Sequence, residues 1–323
     1  MKKRIFVFLA VNLISLSLFS QALRVGLLNG PTCIPCAYLL ENCKTAGFET
    51  FADPQALLPK MVKKEIDVGF MPLNVAAKVY NSGNKAIICC AVTGYGNLKL
   101  ITTDKSIIRF SDLKNKTVNV AGQGATPEYM LRYVLDENKL SYSTDGSAAN
   151  VKLDFSIPTA QLAAQLISGK IQYAVVPEPF ATIAKMKSSA VKTPLDLQKE
   201  FKELTGETEI YPLSVMVVRK DFAEKNPMLL LEFLNEYRNA FVWTVQNPKE
   251  AGKLSEKHSL GLTAGVVEKA IPESNYTYKS AGEAVSNCEM LLQIFLKNDP
   301  SSIGGKLPER DFYYEEKQFD KDN

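Results

Sequence analysis

Short β-rich runs alternate with helix-forming stretches along most of this chain, and the alternation limits the folds open to it. The run 23–28 is predicted to be a strand, and a helix is expected from about Cys33 to Thr45, with a stop at Gly47. Further strands are predicted at 66–70, 86–92, 98–102, 117–120, 152–156, 171–176 and 213–218. This pattern favours α/β layers over a β-sandwich.

Helix starts are marked between several of these strands. Asp53 and Pro54 are predicted to be the N-cap and the first residue of a helix, and Thr126 and Pro127 to play the same roles further along. A helix is also expected over 159–168, ending at Gly169, and the chain after the strand at 213–218 is expected to be mostly helical.

Length and charge narrow the class of protein. A chain of 323 residues exceeds what one hydrophobic core usually organises, so two domains are expected. Loss of Lys2, Lys3 and Arg4 with a leader would reduce the 38 basic residues to the number of acidic ones, 35, which leaves no basic surface for nucleic acid. The single histidine, His258, argues against histidine-based metal sites and catalysis. We expect no metal, cofactor or catalytic residue.

The first 22 residues have the pattern of a signal peptide. Three basic residues precede an uncharged apolar run, 5–19, and Ser20-Gln21-Ala22 offers small residues at the two positions that a signal peptidase reads. The run is shorter than the roughly 20 residues that a membrane-spanning helix needs. We expect cleavage after Ala22 and a periplasmic protein, with an uncleaved membrane anchor as the alternative.

The stretch 122–129 is predicted to be a glycine-containing loop that leads into a helix. Gly124, Ala125 and Thr126 form its end, where glycine lets a ligand approach the backbone. Free N–H groups and the positive end of the helix dipole favour an oxyanion or a strong acceptor at such a position. An ordinary strand-to-helix turn is the alternative, and the spacing lacks the third glycine of a dinucleotide fingerprint.

Other polar residues follow predicted strands. Asn29, Pro31 and Thr32 form an equivalent loop in the other half, and two such loops across a cleft would bind a small ligand. Asn74 and Thr93 could hydrogen-bond a ligand or serve as caps. Glu178, fixed between two prolines, could accept from an amine, or could lie in a rigid turn beside a hinge.

Six cysteines leave a redox function to be weighed. Cys33 and Cys36 form a Cys-x-x-Cys motif at an expected helix start, which would lower their thiol pKa. The chain otherwise lacks the small single-domain pattern of thioredoxin-like proteins, so buried structural cysteines are expected. Disulfides are the alternative in an oxidising compartment, and the sequence leaves their pairing open. The other four cysteines are Cys43, Cys89, Cys90 and Cys288.

An ordered set of segments resembles the substrate-binding proteins of the nitrate/sulfonate/taurine and thiamine-pyrimidine-precursor class of ABC importers. The segments are 64–70, 110–118, 122–129, 168–174 and 176–180. The resemblance implies a type II periplasmic binding fold, with two Rossmann-like α/β domains joined by two hinge crossings. One domain would combine 23–103 with 214–323, and the other would span 104–213. It also implies a monomer whose partners are a membrane permease and an ATPase.

The resemblance places a small solute in the cleft between the domains. The implied contacts are Thr32, Asn74, Thr93, the helix start 124–126, Glu178 and Tyr211. The sequence departs from the family in its cysteine-rich first helix and at Val175-Val176-Pro177, where many relatives have a tryptophan. Ligand identity therefore does not carry over.

Two ligand classes stay open. The helix starts suit a sulfonate or carboxylate, although no arginine accompanies the cleft motifs to form a bidentate partner. Glu178, Tyr95 and Tyr211 suit a flat, amine-bearing heterocycle such as a pyrimidine, which we favour. The alternative functions are a pyrimidine-synthase-like enzyme on the same fold, a sensory ligand-binding subunit and an exported thiol oxidoreductase.

Overall fold

The computed structural model describes residues 22–145, 147–206 and 211–316. The predicted signal peptide, except for Ala22, lies outside the described residues. The described chain forms twelve strands, which are β1 Leu23–Leu28, β2 Ala46–Phe51, β3 Val68–Pro72, β4 Ile87–Tyr95, β5 Leu98–Thr102, β6 Lys116–Val120, β7 Tyr142–Ser143, β8 Val151–Asp154, β9 Tyr173–Pro177, β10 Lys192–Asp196, β11 Pro212–Arg219 and β12 Tyr276–Ser280.

The same residues form twelve α-helices. They are α1 Ala37–Asn42, α2 Pro54–Val62, α3 Leu73–Ser82, α4 Thr126–Glu137, α5 Thr159–Ile167, α6 Phe180–Lys187, α7 Leu197–Thr205, α8 Lys220–Lys225, α9 Pro227–Gln246, α10 Pro248–Lys257, α11 Ala264–Ala270 and α12 Val285–Asn298. Short 3₁₀ helices span Pro31–Cys36, Phe110–Leu113, Ile271–Glu273, Pro300–Ile303 and Arg310–Phe312.

The strands form two six-stranded sheets, in the orders β12-β4-β11-β3-β1-β2 and β10-β5-β9-β6-β8-β7. Without the edge strands β12 and β7, the two orders are equivalent: each sheet has one antiparallel strand, β11 or β5, inserted beside parallel strands. The predicted fold, two α/β domains joined by two crossings, is thus confirmed. We call the layers around the first sheet the first lobe and those around the second sheet the second lobe.

The first crossing lies earlier than predicted. Strand β5 falls before the expected boundary at 103/104, yet it pairs with β9 and β10 of the second sheet. The chain therefore leaves the first lobe between β4 and β5, through Gly96 and Asn97. In the sequence, 86–102 reads like two strands around one turn, because both strands are apolar and only two residues separate them.

The first helical segment is also shorter than predicted. The chain forms a 3₁₀ helix over Pro31–Cys36 and then α1, which ends at Asn42. Gly47 does not cap a helix, because it lies in β2, an edge strand that pairs in parallel with β1. Pro35, inside the 3₁₀ helix, has no N–H to donate, which limits regular helix there. The predicted N-cap at Asp53 is confirmed: its carboxylate accepts from the N–H of Ala56 at 2.9 Å.

One glutamine side chain ties the two crossings together. Gln198, buried in α7, accepts from the N–H of Leu98 at 2.9 Å and donates to the Leu98 carbonyl at 3.2 Å. The same Oε1 accepts from the hydroxyl of Tyr211 at 2.7 Å, just before β11. The Gly96 N–H in turn donates to the Tyr211 carbonyl at 2.9 Å. The outgoing and returning segments are therefore held side by side at the start of both antiparallel strands.

Gly96→Ala should destabilise this junction. A Cβ at position 96 would overlap the buried Tyr211 ring. We therefore expect the free energy of unfolding to fall by about 1–3 kcal/mol, the usual effect of overpacking. Urea unfolding followed by circular dichroism measures the change. Gly47→Ala is the matched control, because no atom lies within 4 Å of a Cβ there. Equal stabilities of the two variants would contradict this account of the hinge.

Candidate functional site

The carboxyl ends of the parallel strands gather most of the predicted ligand residues in one cleft. Asn29, Pro31 and Thr32 follow β1, Asn74 lies in the first turn of α3 after β3, and Thr93 and Tyr95 lie at the end of β4. From the second lobe, Gly124, Ala125 and Thr126 follow β6, and Glu178 follows β9. Thr93, Thr126 and Glu178 are buried, whereas Asn29 and Gly124 are exposed and the remaining five are half-buried.

Tyr211 lies in the hinge rather than on a wall of the cleft. Its ring is fully buried and packs edge-on against Phe201 at 5.3 Å between centroids. Its hydroxyl is already bonded to Gln198. The structure thus gives Tyr211 a structural role, and nothing in its surroundings supports the predicted ligand contact.

On the first lobe, hydroxyl groups and aromatic rings line the cleft. The hydroxyl oxygens of Thr93 and Ser214 lie 3.2 Å apart where β4 meets β11. Tyr276, on β12, donates its hydroxyl to the Pro31 carbonyl at 2.7 Å. Tyr237, on α9, packs against Phe70 at 5.3 Å between ring centroids, and its buried hydroxyl has no hydrogen-bond partner. These groups bring several hydroxyls to the first-lobe side of the cleft, while Phe70 and Tyr237 are themselves fully buried.

On the second lobe, Glu178 provides a buried carboxylate. Its side chain is 0% exposed, and Oε2 accepts from the N–H of Thr182 at 3.0 Å. Oε1 has no hydrogen-bond partner, and the Lys99 ammonium lies 3.8 Å from it, beyond hydrogen-bonding distance. Burial raises the pKa of Glu178, because an ion loses its hydration there.

Glu178 faces the first lobe across the cleft. Burial is the main cause that raises the pKa of the Tyr276 hydroxyl on β12. The negative charge of Glu178 is one of the smaller causes that raise it. Because this tyrosine is also bonded to Pro31, the carboxylate lies opposite the loop that follows β1. The end of β9 therefore lies near the loop that follows β1.

Buried polar atoms without partners cluster around this carboxylate. Besides Glu178 Oε1 they include Asn97 Oδ1 and Thr182 Oγ1 on the same lobe. Asn97 is adjacent to Glu178, whose N–H donates to the Asn97 carbonyl at 3.1 Å. Leaving such a group unpaired costs about 1–3 kcal/mol, so these atoms mark a place where a ligand can supply the missing hydrogen bonds.

The start of α4 differs from the predicted anion site. Ala125 is the N-cap, Thr126 and Pro127 are the first two helical residues, and Thr126 makes no side-chain cap. The Glu128 carboxylate accepts from the N–H of Gly124 at 2.6 Å and pairs with Arg132. Glu128 is 3% exposed. The protein thus places its own anion where an oxyanion ligand was expected, because an acidic residue in the first turn satisfies a free N–H and the helix dipole.

The cysteine motif also differs from a redox centre. Cys33 and Cys36 are both fully buried, and burial raises the pKa of Cys33 to about 12 and that of Cys36 well above its usual value. The expected lowering of the thiol pKa is therefore wrong, since desolvation outweighs the helix start. All six cysteines are free, and five are buried, in agreement with the structural role predicted for them.

The two lobes touch on both sides of the cleft. The hydroxyl of Tyr129, on α4, donates to Asp299 Oδ2 at 3.0 Å, and its ring packs against Phe295 of α12 at 5.0 Å between centroids. On the other side, Lys99 of β5 pairs with Glu273, and α6 contacts α11. We call this arrangement, with the lobes in contact on both sides and Glu178 fully buried, the closed cleft.

Comparison with known proteins agrees with this geometry. The first structure compared is an ABC transporter protein from Parabacteroides distasonis, 25% identical, with a TM-score of 0.78 over 92% of this chain and 99% of that one. The periplasmic aliphatic sulphonate-binding protein SsuA of Escherichia coli is 18% identical, with a TM-score of 0.70 over 92% and 93%. The periplasmic nitrate-binding protein NrtA of Synechocystis PCC 6803 is 14% identical, with a TM-score of 0.58 over 90% and 86%.

The fold is that of the solute-binding proteins of ABC import systems, and the resemblance noted in the sequence is confirmed. The chain belongs to the NMT1-like family, which it matches over residues 45–256. No curated protein sequence matches it. In the part of the chain that the structure describes, no helix is both long enough and apolar enough to cross a membrane.

Several residues of the cleft were missed in the sequence. They are Asn97, Lys99, Thr182, Ser214, Tyr237 and Tyr276. Only Lys99 had a signal in the sequence, because it interrupts the apolar run that forms β5. The structure leaves it 8% exposed, and a buried lysine needs a partner. The others come from distant parts of the chain and carry no local pattern.

Thiol accessibility tests the burial of the cysteines. In the folded protein at pH 8, we expect Ellman's reagent to label Cys43 slowly and to spare the other five, because Cys43 is half-buried and donates to Glu236 at 2.9 Å. In concentrated urea all six cysteines should react. Rapid labelling of Cys33 and Cys36 in the folded state would contradict the burial described here.

Proposed function

We propose that this protein is the substrate-binding component of an ABC importer and that its solute is a small, amine-bearing heterocycle. The mature protein would be a periplasmic monomer that closes around the solute and presents the closed form to a membrane permease and its ATPase. It would carry out no chemical reaction. The match to the NMT1-like family and the similarity to solute-binding proteins support the class.

The unpartnered acceptors in the closed cleft carry the proposal about the ligand. Glu178 Oε1 can only accept a hydrogen bond while the carboxylate is ionised, and Asn97 Oδ1 is an acceptor too. A ligand that satisfies both must donate, as an amino group on a ring does. The half-buried ring of Tyr276 suits a flat partner, and the buried hydroxyl of Tyr237 can serve a ring nitrogen.

A sulfonate is the second candidate, because the fold is similar to that of the aliphatic sulphonate-binding protein of Escherichia coli. Two charges oppose it here. Glu128 already occupies the N–H of Gly124 at the start of α4, and Glu178 would repel an anion at close range. The hydroxyls of Thr93 and Ser214 are neutral donors and offset little of that repulsion. We therefore place the heterocycle first.

Glu178→Gln tests the ligand class. Hydrogen bonds to an ionised group contribute about 1.5–3 kcal/mol, so we expect the variant to bind 4-aminopyrimidine at least about tenfold more weakly than the wild type. Isothermal titration calorimetry of protein refolded to remove carried-over solute measures this. Glu309→Gln is the control, because that exposed carboxylate pairs with Lys85, an interaction within the first lobe.

Ethanesulfonate and acetate are titrated in parallel. If the wild type binds ethanesulfonate and does not bind 4-aminopyrimidine, the proposed ligand is a sulfonate and not a heterocycle. Turnover of any of these compounds would contradict a role in binding alone. A thermal shift with each compound gives an independent measure, since preferential binding to the folded state raises the melting temperature.

A further inference from the structure

Lys99 is shared between two carboxylates that belong to different lobes. It lies on β5 of the second lobe and is 8% exposed. Its ammonium pairs with Glu273 of the first lobe and lies 3.8 Å from Glu178 Oε1. The second distance is too long for a hydrogen bond but short enough for a strong electrostatic effect. In the closed cleft, Lys99 thus moderates the charge of Glu178 without occupying its free oxygen.

This arrangement joins the two lobes. Glu273 lies in the 3₁₀ helix that follows α11 and reaches Lys99 from across the cleft. If the lobes separate, we expect Lys99 to keep Glu178 as its neighbour on the same lobe and to lose Glu273. The pair with Glu273 thus holds the ammonium on the side of the first lobe and leaves Glu178 Oε1 without a hydrogen bond.

We propose that the Lys99–Glu273 pair determines the charge of the ligand that Glu178 accepts. With Lys99 beside it, Glu178 favours a neutral N–H donor over a cation, because the nearby ammonium repels a second positive charge. Glu273 controls how strongly Lys99 acts, since it competes for the same ammonium. This inference rests on the proposed function, in which Glu178 is the ligand's acceptor, and it adds the charge of the ligand.

Other charged and titratable groups surround Glu178 and set the background for this effect. Lys185, on α6, acts on both Glu178 and Glu273 in the same direction as Lys99. Tyr276, which acts on Glu178 from the first lobe, is neutral at pH 7, because burial raises the pKa of its hydroxyl. Lys99 and Lys185 are therefore the cations that balance this carboxylate.

Two probes of similar shape and different charge test the inference. 4-Aminopyridine is a cation at pH 7, whereas 4-aminopyrimidine is mostly neutral. The ratio compared is the affinity for 4-aminopyridine divided by the affinity for 4-aminopyrimidine. We expect Lys99→Met to raise this ratio by about tenfold, because Glu178 loses a neighbouring positive charge. Glu273→Gln should lower the same ratio and weaken both probes, since it releases Lys99 to Glu178. A rise of the affinity ratio in Lys99→Met together with a fall in Glu273→Gln is the result that this arrangement specifically predicts.

A ligand-independent measurement accompanies the titrations. The pKa of Glu178 is followed by carbon-13 NMR of the selectively labelled carboxyl group. Lys99→Met should raise this pKa, because the anion loses a nearby positive charge, and Glu273→Gln should lower it. An unchanged pKa in both variants overturns the inference, whether or not either probe binds. Binding of neither probe to the wild type, with both pKa changes present, would reject the ligand class and leave the electrostatic coupling standing.

Matched variants separate charge from packing. Lys99→Arg restores the positive charge and should keep the wild-type ratio, which shows that a change in Lys99→Met does not come from misfolding. Lys85→Met and Glu309→Gln alter an ion pair within the first lobe and should leave both the ratio and the pKa of Glu178 unchanged. A ratio that moves equally in Lys99→Met and Lys85→Met would overturn the assignment to Lys99.

Discussion

The buried side chain of Gln198 holds the two crossings together, and the geometry of the cleft depends on that junction. Its amide bonds to both backbone groups of Leu98 and to the hydroxyl of Tyr211, so one residue fixes the start of β5 and the approach to β11. Each of those strands runs antiparallel to the parallel strands beside it in its sheet. Fixing them side by side makes the carboxyl ends of the parallel strands face each other, which is where a ligand binds in open α/β sheets.

Gly96 shows how little freedom this junction leaves. The Tyr211 ring fills the space that a side chain at position 96 would need, and both backbone groups of Gly96 are bonded, one to Tyr211 and the other to the amide of Asn275 at 2.7 Å. The crossing at Gly96 is therefore held both to the returning segment and to the residue that precedes β12.

The sequence was sufficient to predict the α/β layers of the fold, but it was not sufficient to predict the chemistry of the cleft. Alternation of strand and helix signals predicted eight of the twelve described strands, and Asp53 with Pro54 predicted a helix start, because these signals are local. Gly47 was misassigned because glycine suits a helix stop as well as an edge strand, and only pairing with β1 decides between them. The role of Lys99 depends on Glu273, 174 residues away, and no local pattern records such a pair.

The contacts that join the lobes are modest beside the energy of binding a ligand. Tyr129 contributes one hydrogen bond to Asp299 and one ring contact with Phe295, and Lys99 contributes an ion pair with Glu273, whose side chain is 39% exposed. A hydrogen bond of this kind contributes about 1 kcal/mol, and an ion pair with an exposed partner about 1 kcal/mol or less. A ligand that binds only the closed form, at 100 times its Kd, stabilises that form by about 2.7 kcal/mol. A solute that satisfies Glu178 and Asn97 only in the closed cleft can therefore decide, by itself, which form predominates.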